Sequence, residues 1–221
     1  MKQFSLYVLL FLTLASWLPA QDAKAPCSCV VSRYNDRGTA DTSFTFRNGR
    51  TLVLCGNREE SDGEVSFTDF TLNACGARDI LGHWGAVASC KLRMQGNELT
   101  IQRIVNLPVG REFGYIPIVL FIDRISMAAR TPRMTTALNS KARRYGRAEI
   151  NAVIAEYEAS PHAVGDKTEE QMFKLFVCAL SGSAKGTKQF QSFDRDTPGL
   201  EGELKTAYEE LKGLLRLAGV R

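Results

Sequence analysis

Six cysteines are the residues with the clearest chemical capacity: Cys27, Cys29, Cys55, Cys75, Cys90 and Cys178. An even number in an exported chain points to a disulfide framework. Cys27 and Cys29 are not expected to pair with each other, because one intervening residue strains the bond geometry. Each should reach a different partner. If all six pair, one bond must tie Cys178 to the preceding part of the chain. If Cys178 is instead free and inert, one further cysteine such as Cys27 is left unpaired. The alternative chemistry is thiol redox or soft-metal binding at Cys27 and Cys29, which would need exposed thiolates. Zinc would need further paired ligands at wider spacing, and there is no second cysteine pair.

The chain has only two histidines. His83 lies in Leu81-Gly82-His83-Trp84-Gly85, a glycine-flanked stretch in which Trp84 offers a broad apolar anchor. His83 and Trp84 are therefore candidate ligand or partner contacts. His162 follows Ser160-Pro161 and is read as an exposed loop residue. No Gly-x-Ser-x-Gly elbow and no phosphate-binding glycine loop occurs. Asp62, Glu64 and Asp69 flank a strand, but Glu59-Glu60-Ser61-Asp62-Gly63 reads as a solvated acidic turn rather than part of a carboxylate pair. No catalytic residue, metal ligand or cofactor is assigned.

Charge supplies the last candidate. The net charge is +4; Lys2 supplies one of these charges and the remaining surplus of three falls after residue 125. Arg130, Arg133, Lys141, Arg143, Arg144 and Arg147 occur with no acidic residue among them. Arg143, Arg144 and Arg147 are the candidate contacts for an anionic surface, an acidic glycan or an acidic protein. Nucleic acid is not expected as a partner of an exported chain with so small a surplus.

These candidates need elements to hold them. The chain first shows period-two patterning. Residues 43–47 and 50–54 flank Asn48-Gly49, which predicts a hairpin with a type I′ turn and with Phe46 and Leu52 on one face. Residues 65–72 form another strand with a phase change at Asp69, which suggests a bulge. Residues 91–94 and 98–101 alternate around Gly96-Asn97, where glycine first suits a type II′ turn. Residues 116–125 are a more continuous apolar strand. Helical periodicity then takes over. Ile150, Val153, Ile154 and Tyr157 share one face. Thr168-Glu169-Glu170-Gln171 reads as a capping box before a helix that is apolar almost all round, with Gly182 as its stop. Thr197-Pro198 is expected to open the last helix, which Gly219 ends.

The fold class is thus α+β: an antiparallel β sandwich or barrel followed by about three α-helices. Residues 1–20 have the parts of a signal peptide: Lys2, an apolar core over residues 6–17, and Leu18-Pro19-Ala20. The expected organisation is a signal peptide at 1–20, a disulfide-stapled β region at 21–127 and a helical region at 128–221. No transmembrane helix is expected in the mature chain. Catalytic constellations are missing while stabilising features abound. The expectation is a non-catalytic binding or interaction module, exported to be secreted, periplasmic or at the cell surface. The alternatives are a small secreted hydrolase using His83, or a thiol-redox protein using Cys27 and Cys29.

Protein isolated from its host should begin at or within a few residues of Gln21, because Ala20 ends the apolar core at a small residue. Intact-mass measurement of the exported protein checks this. Recovery of Met1 would refute it.

Overall fold

The computed structural model describes residues 27–36, 38–108, 114–127, 131–142, 144–160 and 166–220. The expected signal peptide, Arg130, Arg143 and His162 lie outside the described residues. Eight strands come first: β1 Thr42–Thr45, β2 Thr51–Ser61, β3 Glu64–Ala74, β4 Gly82–Trp84, β5 Ser89–Gln95, β6 Glu98–Pro108, β7 Tyr115–Ser126 and β8 Arg133–Leu138. Four helices follow: α1 Arg147–Ala159, α2 Asp166–Leu180, α3 Ala184–Asp196 and α4 Gly202–Leu217. The class is α+β, with strands first and helices after.

All strands form one antiparallel sheet in the order β1-β2-β3-β5-β6-β7-β8, with β4 also on β3. The sheet is open, since β1 and β8 end it without pairing to each other. The expected sandwich or barrel is corrected on this point. The alternating strands need their apolar face covered, and the pattern does not say by what. Here helices supply the second layer. One core joins Phe46, Leu54, Phe70, Leu99 and Phe121 of the sheet to Phe176, Phe190, Phe193 and Leu211 of the helices. β8 lies past residue 127, in the segment the sequence pattern assigned to helices.

The hairpins follow from their turn residues. Gln95 pairs with Glu98 across Gly96-Asn97, and Gly96 takes φ 62°, as a type II′ turn requires. Asp62 and Gly63 have φ 54° and 76° between the paired Ser61 and Glu64, so the type I′ turn is here. At Asn48-Gly49 the loop is one residue longer than expected. Thr45 pairs with Thr51, the Phe46 N–H donates to Arg50 O (2.8 Å), and Gly49 N–H returns to Phe46 O (2.9 Å). Asn48 instead ties the hairpin to the far strands, its Nδ2 donating to Met127 O. The Arg47 N–H donates to Asn97 Oδ1 (3.1 Å) in the β5–β6 turn, so the sheet curls back on itself. Phe46 and Leu52 share the core face. The bulge expected at Asp69 is present: the β2–β3 register shifts between Cys55 and Asn57, opposite Asp69, which takes φ 44°.

The other face of β2–β3 is covered by the N-terminal segment. Cys29 bonds Cys55, and Cys27 bonds Cys75. Asn73 serves the same segment, accepting from Val30 N (3.2 Å) and donating to Ser28 O (3.1 Å). Cys90 and Cys178 are free and buried, so no bond joins helix to sheet, and Cys90 rather than Cys27 is the second unpaired cysteine. Cys178 has a packing role instead. A Cβ on Gly186 of α3 would lie 2.6 Å from the Cys178 Cβ, so a small pair lets α3 cross α2 closely.

The helices depart from their sequence signals in three ways. Thr168 is not an N-cap: α2 begins at Asp166, and Gln171 reaches the Ser160 carbonyl at the end of α1 (3.1 Å). Thr197 caps the C-terminus of α3, and α4 starts at Gly202. α3 itself is an extra helix, hidden because Phe190 and Phe193 are its only large apolar residues. Its detectable signal is Ser183, whose hydroxyl accepts from Gly186 N (3.0 Å) as an N-cap.

Denatured, non-reduced protein should therefore show two free thiols per chain, at Cys90 and Cys178. Each disulfide should contribute about 2–4 kcal/mol by restricting the unfolded chain. Reduction should lower the melting temperature by on the order of 10 °C or more. A tryptic fragment linking Cys90 or Cys178 to another cysteine would overturn the pairing.

Candidate functional site

The strand pairing that positions His83 and Trp84 also separates them. Thr71 pairs with His83 and Phe70 with Trp84, and neighbours on a strand point to opposite faces. Trp84 enters the core and stacks on Phe70 with ring centroids 5.0 Å apart. His83 faces the N-terminal segment, where it stacks on Tyr34 at 4.0 Å and its Nε2 lies 2.8 Å from Asp69 Oδ1. The His83–Asp69 pair is partly exposed, at 24% and 49% for the two side chains. Among the described residues no serine, threonine or cysteine hydrogen-bonds to His83. Their side chains point to opposite faces, yet His83 and Trp84 both border one cleft beside the last helix.

The basic segment is likewise dispersed. Arg133 opens β8, Lys141 lies in the following turn, Arg144 precedes α1 and Arg147 is its first residue. Arg144 and Arg147 are exposed, while Arg143 lies outside the described residues. The cysteines bring no thiol to the surface. Cys27 and Cys29 sit in different disulfides, and burial pushes the Cys90 and Cys178 thiols up to about 12. At Cys90 the neighbouring Arg103 opposes that rise and Asp123 adds to it. Among the described residues no group of three His, Cys, Asp or Glu could hold a metal ion.

What the sequence reading missed is a charged cluster on the core face of the sheet. Asp123 of β7 is 0% exposed and accepts from three side chains. Trp84 Nε1 and Arg103 Nε donate to its Oδ2 (2.8 and 2.7 Å), and Thr136 Oγ1 donates to its Oδ1 (2.6 Å). Arg103 lies over the Trp84 ring, 5.6 Å from Cζ to the centroid. One carboxylate thus joins β4, β6, β7 and β8. Its signal in the sequence is phase: Leu99-x-Ile101-x-Arg103 and Phe121-x-Asp123-x-Ile125 place a charge where apolar residues point inward.

Two concavities open where α4 crosses the sheet. The larger is a groove of about 1210 Å³. Val87, Phe173, Leu204 and Ala207 give it apolar walls, and Glu169, Glu203 and Glu210 supply carboxylates. Tyr115 stands at its side, 47% exposed and in edge contact with Phe173. Burial, and then Glu169 and Glu170, push the Tyr115 phenol up to about 12. The smaller is a cleft of about 340 Å³ lined by His83, Trp84, Arg103 and the second half of α4. Glu210 borders both. Its carboxylate accepts from the N–H groups of Ala86 (3.2 Å) and Val87 (2.9 Å), which docks α4 on the β4–β5 loop. Gly85 makes room for it, since a Cβ there would lie 2.4 Å from the carboxylate.

Asp123→Ala should destabilise the protein by about 3–5 kcal/mol, because it strands the Arg103 charge inside the fold. The double change Asp123→Leu, Arg103→Met should recover most of that loss. Denaturant midpoints measure both. A loss under about 1 kcal/mol for the single variant would contradict the cluster's structural role. Comparison with known proteins finds no family model, no curated protein and no solved structure that matches this chain.

Proposed function

We propose that this protein is an exported, non-catalytic binding module that holds a peptide segment of a partner protein in the groove beside α4. The observation that carries the reading is the groove's make-up: apolar walls from Val87, Phe173, Leu204 and Ala207 beside the carboxylates of Glu169 and Glu203. Pockets for compact small molecules span roughly 300–1000 Å³, so an open groove of this size suits an elongated ligand. Apolar side chains would lie against its walls and basic side chains against its carboxylates. Among the described residues no helix is long and apolar enough to cross a membrane. Two disulfides accord with an oxidising compartment, as does the signal-peptide pattern of residues 1–20.

The ligand chemistry follows from the same residues. Glu169 and Glu203 are exposed, so their attraction to a basic peptide is screened beyond about 8 Å at physiological salt. Affinity should come from apolar burial, and charge should select among partners.

The test titrates the mature protein with a short peptide of alternating leucine and lysine, and with its glutamate counterpart. The lysine peptide should bind, more weakly as salt rises, and the glutamate peptide should not. Ala207→Arg should abolish binding while leaving the circular dichroism spectrum unchanged, because it adds bulk and like charge within the groove. Failure of both peptides to bind, or equal binding by the Ala207→Arg variant, would overturn the groove assignment.

A further inference from the structure

The cleft beyond Glu210 has three properties that the groove's own role does not require. The first is an arginine with unused donors. Arg103 commits its Nε–H to Asp123, and its side chain is only 12% exposed. Among the described residues its terminal N–H groups meet no acceptor, although Arg103 lines the cleft. Donors held in a planar fork match a carboxylate in two-point contact. These terminal groups are not shut away from solvent, so a ligand entering the cleft can reach them.

The second is Gly213. It stands inside α4, where glycine is a poorer helix former than alanine. No close packing explains it: a Cβ at this position would meet no heavy atom within 4 Å. Its effect is to leave the α4 wall of the cleft open.

The third is an apolar lining beside the arginine. Leu214 and Leu217 of α4 line the cleft, and Leu217 is 51% exposed. These surfaces suit an apolar side chain next to the charged group.

We infer that the cleft over Arg103 receives the free C-terminal carboxylate and the apolar last side chain of the peptide held in the groove. The inference rests on the groove reading, and Glu210 gives the continuity, because it borders both concavities along α4. Its negative charge opposes a carboxylate, but the Ala86 and Val87 N–H groups already hold it. Asp123 compensates Arg103 in the free protein, and its oxygens are bound by Trp84, Thr136 and Arg103. The peptide carboxylate therefore takes only the donors that Asp123 leaves.

Two peptides of one sequence decide the matter, both built on the leucine–lysine pattern and ending in leucine. One ends in a free carboxylate and the other in an amide. The free acid should bind about tenfold to a hundredfold more tightly, as expected for hydrogen bonds to a charged group. Gly213→Leu fills the cleft from the helix side and leaves Asp123, Arg103 and Trp84 themselves unsubstituted. It should bring the free acid and the amide to one common, weaker affinity, so that the preference for the free acid disappears. Equal affinity of the two peptides for the unmodified protein overturns the inference and leaves the groove standing. Failure of both to bind brings down the groove reading first. Tight binding of octanoate, with neither peptide bound, assigns the cleft to a free fatty acid and overturns the peptide terminus.

Discussion

From Gln171 to Leu180 every side of the helix α2 has to be kept from water, and much of the architecture follows from that. Residues 171–180 are buried without exception, including Gln171 and Lys174. A helix apolar on all sides gains its stability only when every face is covered. The sheet covers one side at β6, and α1, α3 and α4 cover the rest. The polar members are neutralised locally: the Lys174 ammonium pairs with Glu170 (2.6 Å) and Glu156 (3.0 Å). A second sheet could not surround a cylinder this way. Helices therefore take the place of the second layer, and the sheet can curl while its edges stay unpaired. Where α2, α4 and the start of β7 do not quite close around one another, the groove remains.

The opposite face of the sheet is solved by covalent means. The N-terminal segment has little apolar content of its own, with Val53, Cys29 and Cys55 forming a small cluster. Two disulfides hold it there, closing sequence separations of 48 and 26 residues. Burial alone would not hold so short a segment, since ordering each residue costs about 1–2 kcal/mol in backbone entropy. The main core needs no such help, which accounts for two cysteines staying reduced inside it. Cys90 and Cys178 act there as small apolar side chains.

Much of this fold was legible because it is local. Gly96-Asn97 makes its turn, Asp69 its bulge, and the helix around Met172 to Leu180 declares its burial by composition. The failures share a cause too. α3 is held by tertiary contacts, with the Tyr208 hydroxyl bonding to Phe190 O (2.8 Å), and its own sequence is mostly polar. His83 and Trp84 look like one motif, yet strand alternation sends them to opposite faces. Arg103 and Asp123 are separated by 20 residues and meet only through the register Arg103↔Phe121 and Ile101↔Asp123. Pairing register is a property of the assembled sheet, so no window of sequence could place them together. The choice between sandwich, barrel and open sheet was invisible for the same reason.

The Arg103–Asp123 cluster also bears on why the α4 region should be functional at all. A buried ion pair is weak as a stabilising device, because desolvation cancels much of its attraction, and apolar replacements of similar volume are often as stable. The surrounding strand positions show what an ordinary core would use: Leu99, Ile101, Phe121 and Ile125 are all fully buried and apolar. Packing alone does not require Arg103 and Asp123 among them. Gly213, on the facing helix, is likewise worse for stability than alanine and is demanded by no contact. Each choice alone could be incidental. Both line or adjoin one cleft, and one supplies donors while the other supplies space. Stability surrendered on two elements for one concavity is the pattern expected when a ligand, and not the fold, selects the residues.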